Sequence, residues 1–162
     1  MTGDKKMLKR ILLALSLMSV SLHSFAESNV EVKGAFGLKF GEIAQNINKA
    51  EINKGWVRIN PPTPIPEYFS SYSVMVDKDN DKIYAISGSK QYKTREECYK
   101  YSDNLSNVFA QAYGKENVLK RNDGYTTLIE AKNSIVMLRC IGNGMLVNSY
   151  INIPMMQSSF EE

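Results

Sequence analysis

The sequence predicts an α+β domain: a curved antiparallel sheet with one long helix packed on a face, a short N-terminal helix and one disulfide. Three observations predict it. Short apolar segments of period two follow one another across tight turns, which implies antiparallel neighbours. One long segment of helical period, from Thr94 to Gly114, interrupts them. The two cysteines of the chain, Cys98 and Cys140, fall on that helix and on a later strand.

The elements follow in order. Residues 30–40 read as a strand, with Phe36, Leu38 and Phe40 alternating with Gly37 and Lys39. Residues 42–50 read as a short helix, with Ile43 and Ile47 one turn apart. Asn53-Lys54-Gly55 is a turn, and Trp56 to Ile59 a short strand. Pro61, Pro62, Pro64 and Pro66 impose an extended loop. Tyr72–Val76 and Ile83–Ser87 are strands joined through Asp79-Asn80. Thr94 with Glu97 forms a capping box that opens the long helix, and Gly114 stops it. Its apolar face reads as Cys98, Tyr101, Leu105, Val108, Phe109 and Ala112. Strands at Tyr125–Glu130, Ile135–Ile141 and Met145–Ile153 complete the chain.

The N-terminus reads as a cleavable secretory signal peptide. Lys5, Lys6, Lys9 and Arg10 precede an apolar run from Ile11 to Val20, which is shorter than the roughly 20 residues of a membrane span. Ser24-Phe25-Ala26 places small residues where a signal peptidase cuts, so cleavage is expected between Ala26 and Glu27. An uncleaved anchor is the alternative, and Met7 is a second candidate start. Residues 27–162 then form a single domain, expected in the bacterial periplasm or outside the cell, with no membrane span after cleavage.

Removal of that segment changes the chemistry. The whole chain carries 20 Lys and Arg against 17 Asp and Glu, a net charge of +3. The four basic residues of the leader, against Asp4, account for all of the excess, so the rest is formally neutral. A nucleic-acid partner is therefore not expected. The single histidine, His23, lies in the leader too. Without histidine the exported domain has no Ser-His-Asp or Cys-His catalysis and no His-ligated zinc.

In an oxidising compartment Cys98 and Cys140 are expected to pair. A reactive thiol is the alternative, since Cys98 sits in the first turn of a helix, where the dipole lowers a thiol pKa. The absence of a histidine partner and of a Cys-x-x-Cys pair favours the bridge.

No cofactor and no metal is expected. Asp77-Lys78-Asp79-Asn80-Asp81 starts like a calcium loop, but Lys82 stands where the loop needs glycine and Gly88 where it needs glutamate. A solvated hairpin turn fits better. The glycines at 34, 37 and 41 lack the spacing of a phosphate loop. Glu42, Glu67, Asp123 and Glu130 are the carboxylates open to a histidine-free hydrolase, although nothing in their spacing pairs them. The stiff segment Pro61–Phe69 is the expected interaction site, with Trp56, Tyr68, Phe69 and Tyr72 as binding residues. These aromatics would alternatively close one end of the core. Tyr92 and Tyr99 add outward-facing aromatic surface.

The opener Gly34-Ala35-Phe36-Gly37-Leu38-Lys39-Phe40-Gly41 resembles that of small uncharacterised bacterial exported proteins. The pair Tyr72–Val76 and Lys82–Ile86, and the Cys-bearing helix ending in Ala112-Tyr113-Gly114-Lys115, extend the resemblance over most of the domain. It rests on structural residues and implies no activity. The expected function is a non-catalytic exported domain that binds another exported protein, of an inhibitor or immunity type. A small-molecule or glycan-binding domain is the second reading, and a carboxylate-dependent cell-wall hydrolase the third.

Overall fold

A computed structural model describes residues 30–44, 55–60, 69–120 and 125–159. The expected leader, the cleavage point and the proline loop through Tyr68 lie outside them. The first surprise is at the N-terminus. The single strand expected over 30–40 is a tight hairpin of β1 (Gly34–Ala35) and β2 (Leu38–Lys39). Phe36 and Gly37 turn between them, both with positive φ (53° and 78°), and period-two reading cannot register such a reversal.

Among the described residues, seven strands form one antiparallel sheet. They are β3 (Val57–Ile59), β4 (Ser71–Val76), β5 (Ile83–Gln91), β6 (Val118–Lys120), β7 (Thr126–Ala131), β8 (Ser134–Ile141) and β9 (Met145–Asn152). The spatial order is β3-β4-β5-β9-β8-β7-β6. Two meanders thus meet at the β5–β9 pair, where Ile86 stands opposite Tyr150 and Gly88 opposite Asn148. The long helix α1 (Arg95–Tyr113) carries the chain from β5 in the middle of the sheet to β6 at its edge. A short helix, α2 (Ile153–Ser158), follows β9 and packs against β5 and β9.

Local chemistry accounts for the ends of α1. The Thr94 hydroxyl accepts from the Glu97 amide at 3.1 Å, and the Glu97 carboxylate accepts from the Lys93 amide at 3.1 Å. The cap is worth about 1 kcal/mol. Gly114, at φ 90°, ends the helix. At the other end of the chain the Asn152 side chain caps α2 by accepting from the Met155 amide.

The expected helix at 42–50 does not begin at residue 42. Ile43 forms a β-bridge with Lys82, and Gly41 donates its amide to the Ile83 carbonyl. Docking against the start of β5 satisfies backbone groups that a helix would have kept for itself. Residues 45–50 lie outside the described part. The acidic stretch between β4 and β5 is a hairpin turn. Its Asp77 carboxylate accepts from the Asp79 amide and its Asn80 side chain from the Lys82 amide, the bonding that makes these residues turn formers.

The long helix is rotated from its expected setting. Cys98, Ser102, Ser106 and Phe109 are buried, whereas Tyr101 and Val108 are 39% and 54% exposed and Ala112 is exposed. Two constraints set this rotation. The Cys98–Cys140 disulfide ties the first turn of α1 to β8, with 6.0 Å between the Cα atoms. One turn apart, Ser102 and Ser106 are small enough to let the helix lie close to the strands. Ser106 Oγ bonds the Ser102 carbonyl at 2.8 Å and the Thr127 hydroxyl on β7 at 2.9 Å, so its burial leaves no polar atom unpaired.

One face of the sheet holds the core. Val136, Leu138 and Cys140 on β8, Leu146 on β9 and Ile129 on β7 pack beneath α1. Val74 and Ile86 lie under the β1–β2 hairpin, among Phe36, Leu38 and Phe40. Phe36 joins the two regions. Its ring makes edge contacts with Phe69, Tyr72 and Tyr150 at 5.3, 5.2 and 5.6 Å.

Tyr150 also gives the fold an alkaline limit. Burial pushes its hydroxyl up to about 12, against the hydrogen bond that Asn148 Nδ2 donates to it at 3.0 Å, which pulls it down. The free phenol ionises near pH 10. The unfolded chain therefore releases this proton first. The stabilisation is complete below about pH 10 and is lost as pH rises toward 12, by about 3 kcal/mol. Tyr150→Phe should flatten this decline in urea-unfolding midpoints taken on either side of pH 10. Burial raises Tyr72, Tyr84 and Tyr113 as well, so a residual slope is expected. An unchanged slope in Tyr150→Phe would exclude Tyr150 as its source.

Candidate functional site

The residues expected to bind separate into two groups. Phe69 and Tyr72 pack into the core around Phe36, and the Tyr72 hydroxyl donates to the Phe69 carbonyl at 3.0 Å. Trp56 remains 41% exposed beside β3. Tyr68 lies outside the described residues. A shallow recess of about 420 Å³ opens at this edge, lined by Arg58, Ile59, Asn60, Ser70, Ser71 and Tyr72. Within it, the Arg58 guanidinium donates through Nε and Nη2 to Ser71 Oγ at 3.2 and 2.9 Å.

Two of the carboxylates open to catalysis, Glu42 and Glu130, lie among the described residues. Glu42 accepts from the Lys39 amide at 3.1 Å and so caps the hairpin. Glu130 stands on β7 opposite Ile135. Glu67 and Asp123 lie outside the described residues. Among the described residues no group of three His, Cys, Asp or Glu is placed to hold a metal ion.

The most organised surface surrounds the first turns of α1. Tyr99 on the helix stacks on Tyr125, just before β7, with ring centroids 4.7 Å apart and planes at 14°. Tyr101 stacks on Tyr92, just after β5, at 4.5 Å and 23°. Each pair has a cation. Arg95 lies 5.9 Å from the Tyr99 ring and 5.2 Å from the Tyr125 ring, and Lys90 lies 5.6 Å from that of Tyr92. Such contacts contribute about 0.5–1 kcal/mol each at exposed sites. Burial raises the Tyr99 hydroxyl pKa, and the Arg95 charge opposes this.

The elements that build this surface are held firmly. The bridged Cys98 immediately precedes Tyr99 on α1. The Cys140 amide donates to the Tyr125 carbonyl, and the Tyr92 amide to the Gly144 carbonyl. Tyr101 and Tyr125 are 39% and 43% exposed, while Tyr92 is buried beneath Tyr101. The sequence points to Tyr92 and Tyr99 as outward-facing and to Tyr101 as core, whereas Tyr92 is buried, Tyr99 is half-buried and Tyr101 is the exposed ring, because the stack on Tyr101 covers Tyr92. Sequence reasoning missed Tyr125 and Arg95, because a stack between helix and sheet has no local signature. The one available signal was the density of Tyr, Lys and Arg over residues 90–101.

No protein-family model matches the chain, and neither a curated protein nor a solved structure matches it. Among the described residues no helix is long and apolar enough to cross a membrane.

Proposed function

We propose that the chain is an exported, non-catalytic domain that binds another exported protein, in the manner of an inhibitor or immunity protein. The observation that supports it is the pair of tyrosine stacks, each with its cation, fixed beside the disulfide. Tyrosine and arginine are the residue types that dominate binding energy at protein interfaces. A side chain already held in place loses little conformational entropy when a partner arrives. The leader, the neutral charge and the absence of histidine from residues 27–162 accord with this role.

Binding should fail when the exposed member of each stack is removed. With the purified domain as bait in periplasmic extract, Tyr101→Ala with Tyr125→Ala is expected to lower recovery of a specific partner at least tenfold, as loss of interface hot spots does. Trp56→Ala should leave recovery intact. Equal recovery by wild type and the double variant would remove the patch from consideration. Phe69→Ala is a poor probe of the proline loop, because it also removes a ring from the core.

The second reading, a small-molecule or glycan-binding domain, draws on the recess beside Arg58 and the exposed Trp56. It predicts that Trp56→Ala and Arg58→Ala abolish retention on a glycan column while the tyrosine variants bind normally.

A further inference from the structure

The bridge between Cys98 and Cys140 lies beneath the surface of the folded domain. Cys98 is fully buried and Cys140 is 4% exposed. Ile129, Leu138 and Leu146 share their core region, Tyr92 is buried among them, and Tyr99 packs against it. The cover is pinned at two places. Ser106 of α1 bonds Thr127 of β7. The β8–β9 turn presses on the start of α1 so closely that a Cβ at Gly144 would stand 2.6 Å from the Thr94 carbonyl oxygen. Thiol–disulfide exchange needs one sulfur to touch another, so its rate depends on access.

We propose that the bridge is made by an oxidant of the disulfide-bearing thiol oxidase class, acting on the chain before α1 docks on the sheet. In the first exchange one cysteine thiolate attacks a sulfur of the oxidant's disulfide and expels the other as a thiolate. A mixed disulfide remains. The second cysteine thiolate then attacks the sulfur of the first cysteine and expels the oxidant's remaining sulfur. The oxidant leaves as a dithiol, having taken two electrons, and its two sulfurs receive the two cysteine protons.

The intermediate sets the order. It carries an oxidant molecule on one cysteine sulfur, and a core packed at crystal-like density has no room for one. A chain that folds with free thiols therefore keeps them out of the oxidant's reach. With two cysteines in the chain, one internal pairing exists. No rearrangement follows, and an isomerase has nothing to correct.

Two small probes test this on the purified protein: dithiothreitol for the bridge and glutathione disulfide for the thiols. Dithiothreitol is expected to reduce the native domain at least about a hundredfold more slowly than the domain unfolded in urea, since only opened molecules react. Below the unfolding midpoint the rate should climb with urea as the unfolded fraction climbs. Chain reduced in urea and then diluted without oxidant should, once its circular dichroism is native, react with glutathione disulfide at least about tenfold more slowly than reduced chain kept in urea. A reduced chain that never regains native circular dichroism also supports the order, because the bridge must then come first. Similar rates in folded and unfolded protein with either probe overturn the proposal. A reduction rate that ignores urea below the midpoint overturns it equally, since the bridge would then be reached in the native fold.

Discussion

Phe36→Ala is expected to lower the free energy of unfolding by about 2–3 kcal/mol, below the range of about 3–5 kcal/mol for a fully buried aromatic ring because Phe36 is only partly buried. Phe36 does more than fill volume. Its ring is the shared edge of contacts with Phe69, Tyr72 and Tyr150, which come from a loop, from β4 and from β9. It also lies over Gly88, where an added Cβ would stand 2.9 Å from Phe36 Cζ. Glycine leaves no side chain there to move into the space that alanine would vacate. The cavity would therefore persist between hairpin and sheet, and cavity volume adds to the lost transfer energy. Urea unfolding of wild type, Phe36→Ala and Phe36→Leu measures the effect, with leucine recovering part of the loss. A cost in alanine below about 1 kcal/mol, the ordinary size of a point-mutation effect, would show that the hairpin is not pinned by this ring.

The second large effect is expected from the disulfide. The bridge joins residues 42 apart in sequence, and the chain-entropy account assigns a loop of that length about 4 kcal/mol. Cys98 is fully buried and Cys140 nearly so, so the paired serines of Cys98→Ser and Cys140→Ser would each place a hydroxyl in an apolar site. The alanine pair is the cleaner comparison. The Cys98→Ala, Cys140→Ala protein should unfold at a markedly lower denaturant concentration with a slightly changed slope, since its unfolded state is less constrained. Against a typical total of about 5–15 kcal/mol this is a large fraction. Stability within about 1 kcal/mol of wild type would show that packing alone holds α1 to the sheet.

Elements with local chemical signatures were legible in the sequence. Thr94 and Glu97 open α1, Gly114 closes it, and the alternating runs at 72–76, 135–141 and 145–152 are strands of the sheet. The pairing of Cys98 with Cys140 followed from compartment and count. What could not be read depended on partners distant in sequence. Ser102 and Ser106 look like solvent residues until Thr127 supplies a hydrogen bond and the strands require a close approach. Tyr101 looks like core until that rotation turns it outward. The Phe36-Gly37 reversal hides inside a perfect alternation. The short strand β6 has too few residues to show a period.

The crossing of α1 from the centre of the sheet to its edge has a consequence for how the molecule assembles. Each meander is built from neighbours in sequence and forms by local closure. The seam between them is different: Ser87 and Asn148, on the paired strands β5 and β9, are 61 residues apart. Contacts of such long span are slow to establish, because the chain must surrender loop entropy before they return anything. The bridge from Cys98 to Cys140 spans most of that interval. Once it closes, the path from β5 to β9 runs through the sulfur atoms and becomes a short one. The oxidised chain therefore meets its slowest step as a nearly local event, and the order in which bond and seam form decides whether the two halves find each other quickly.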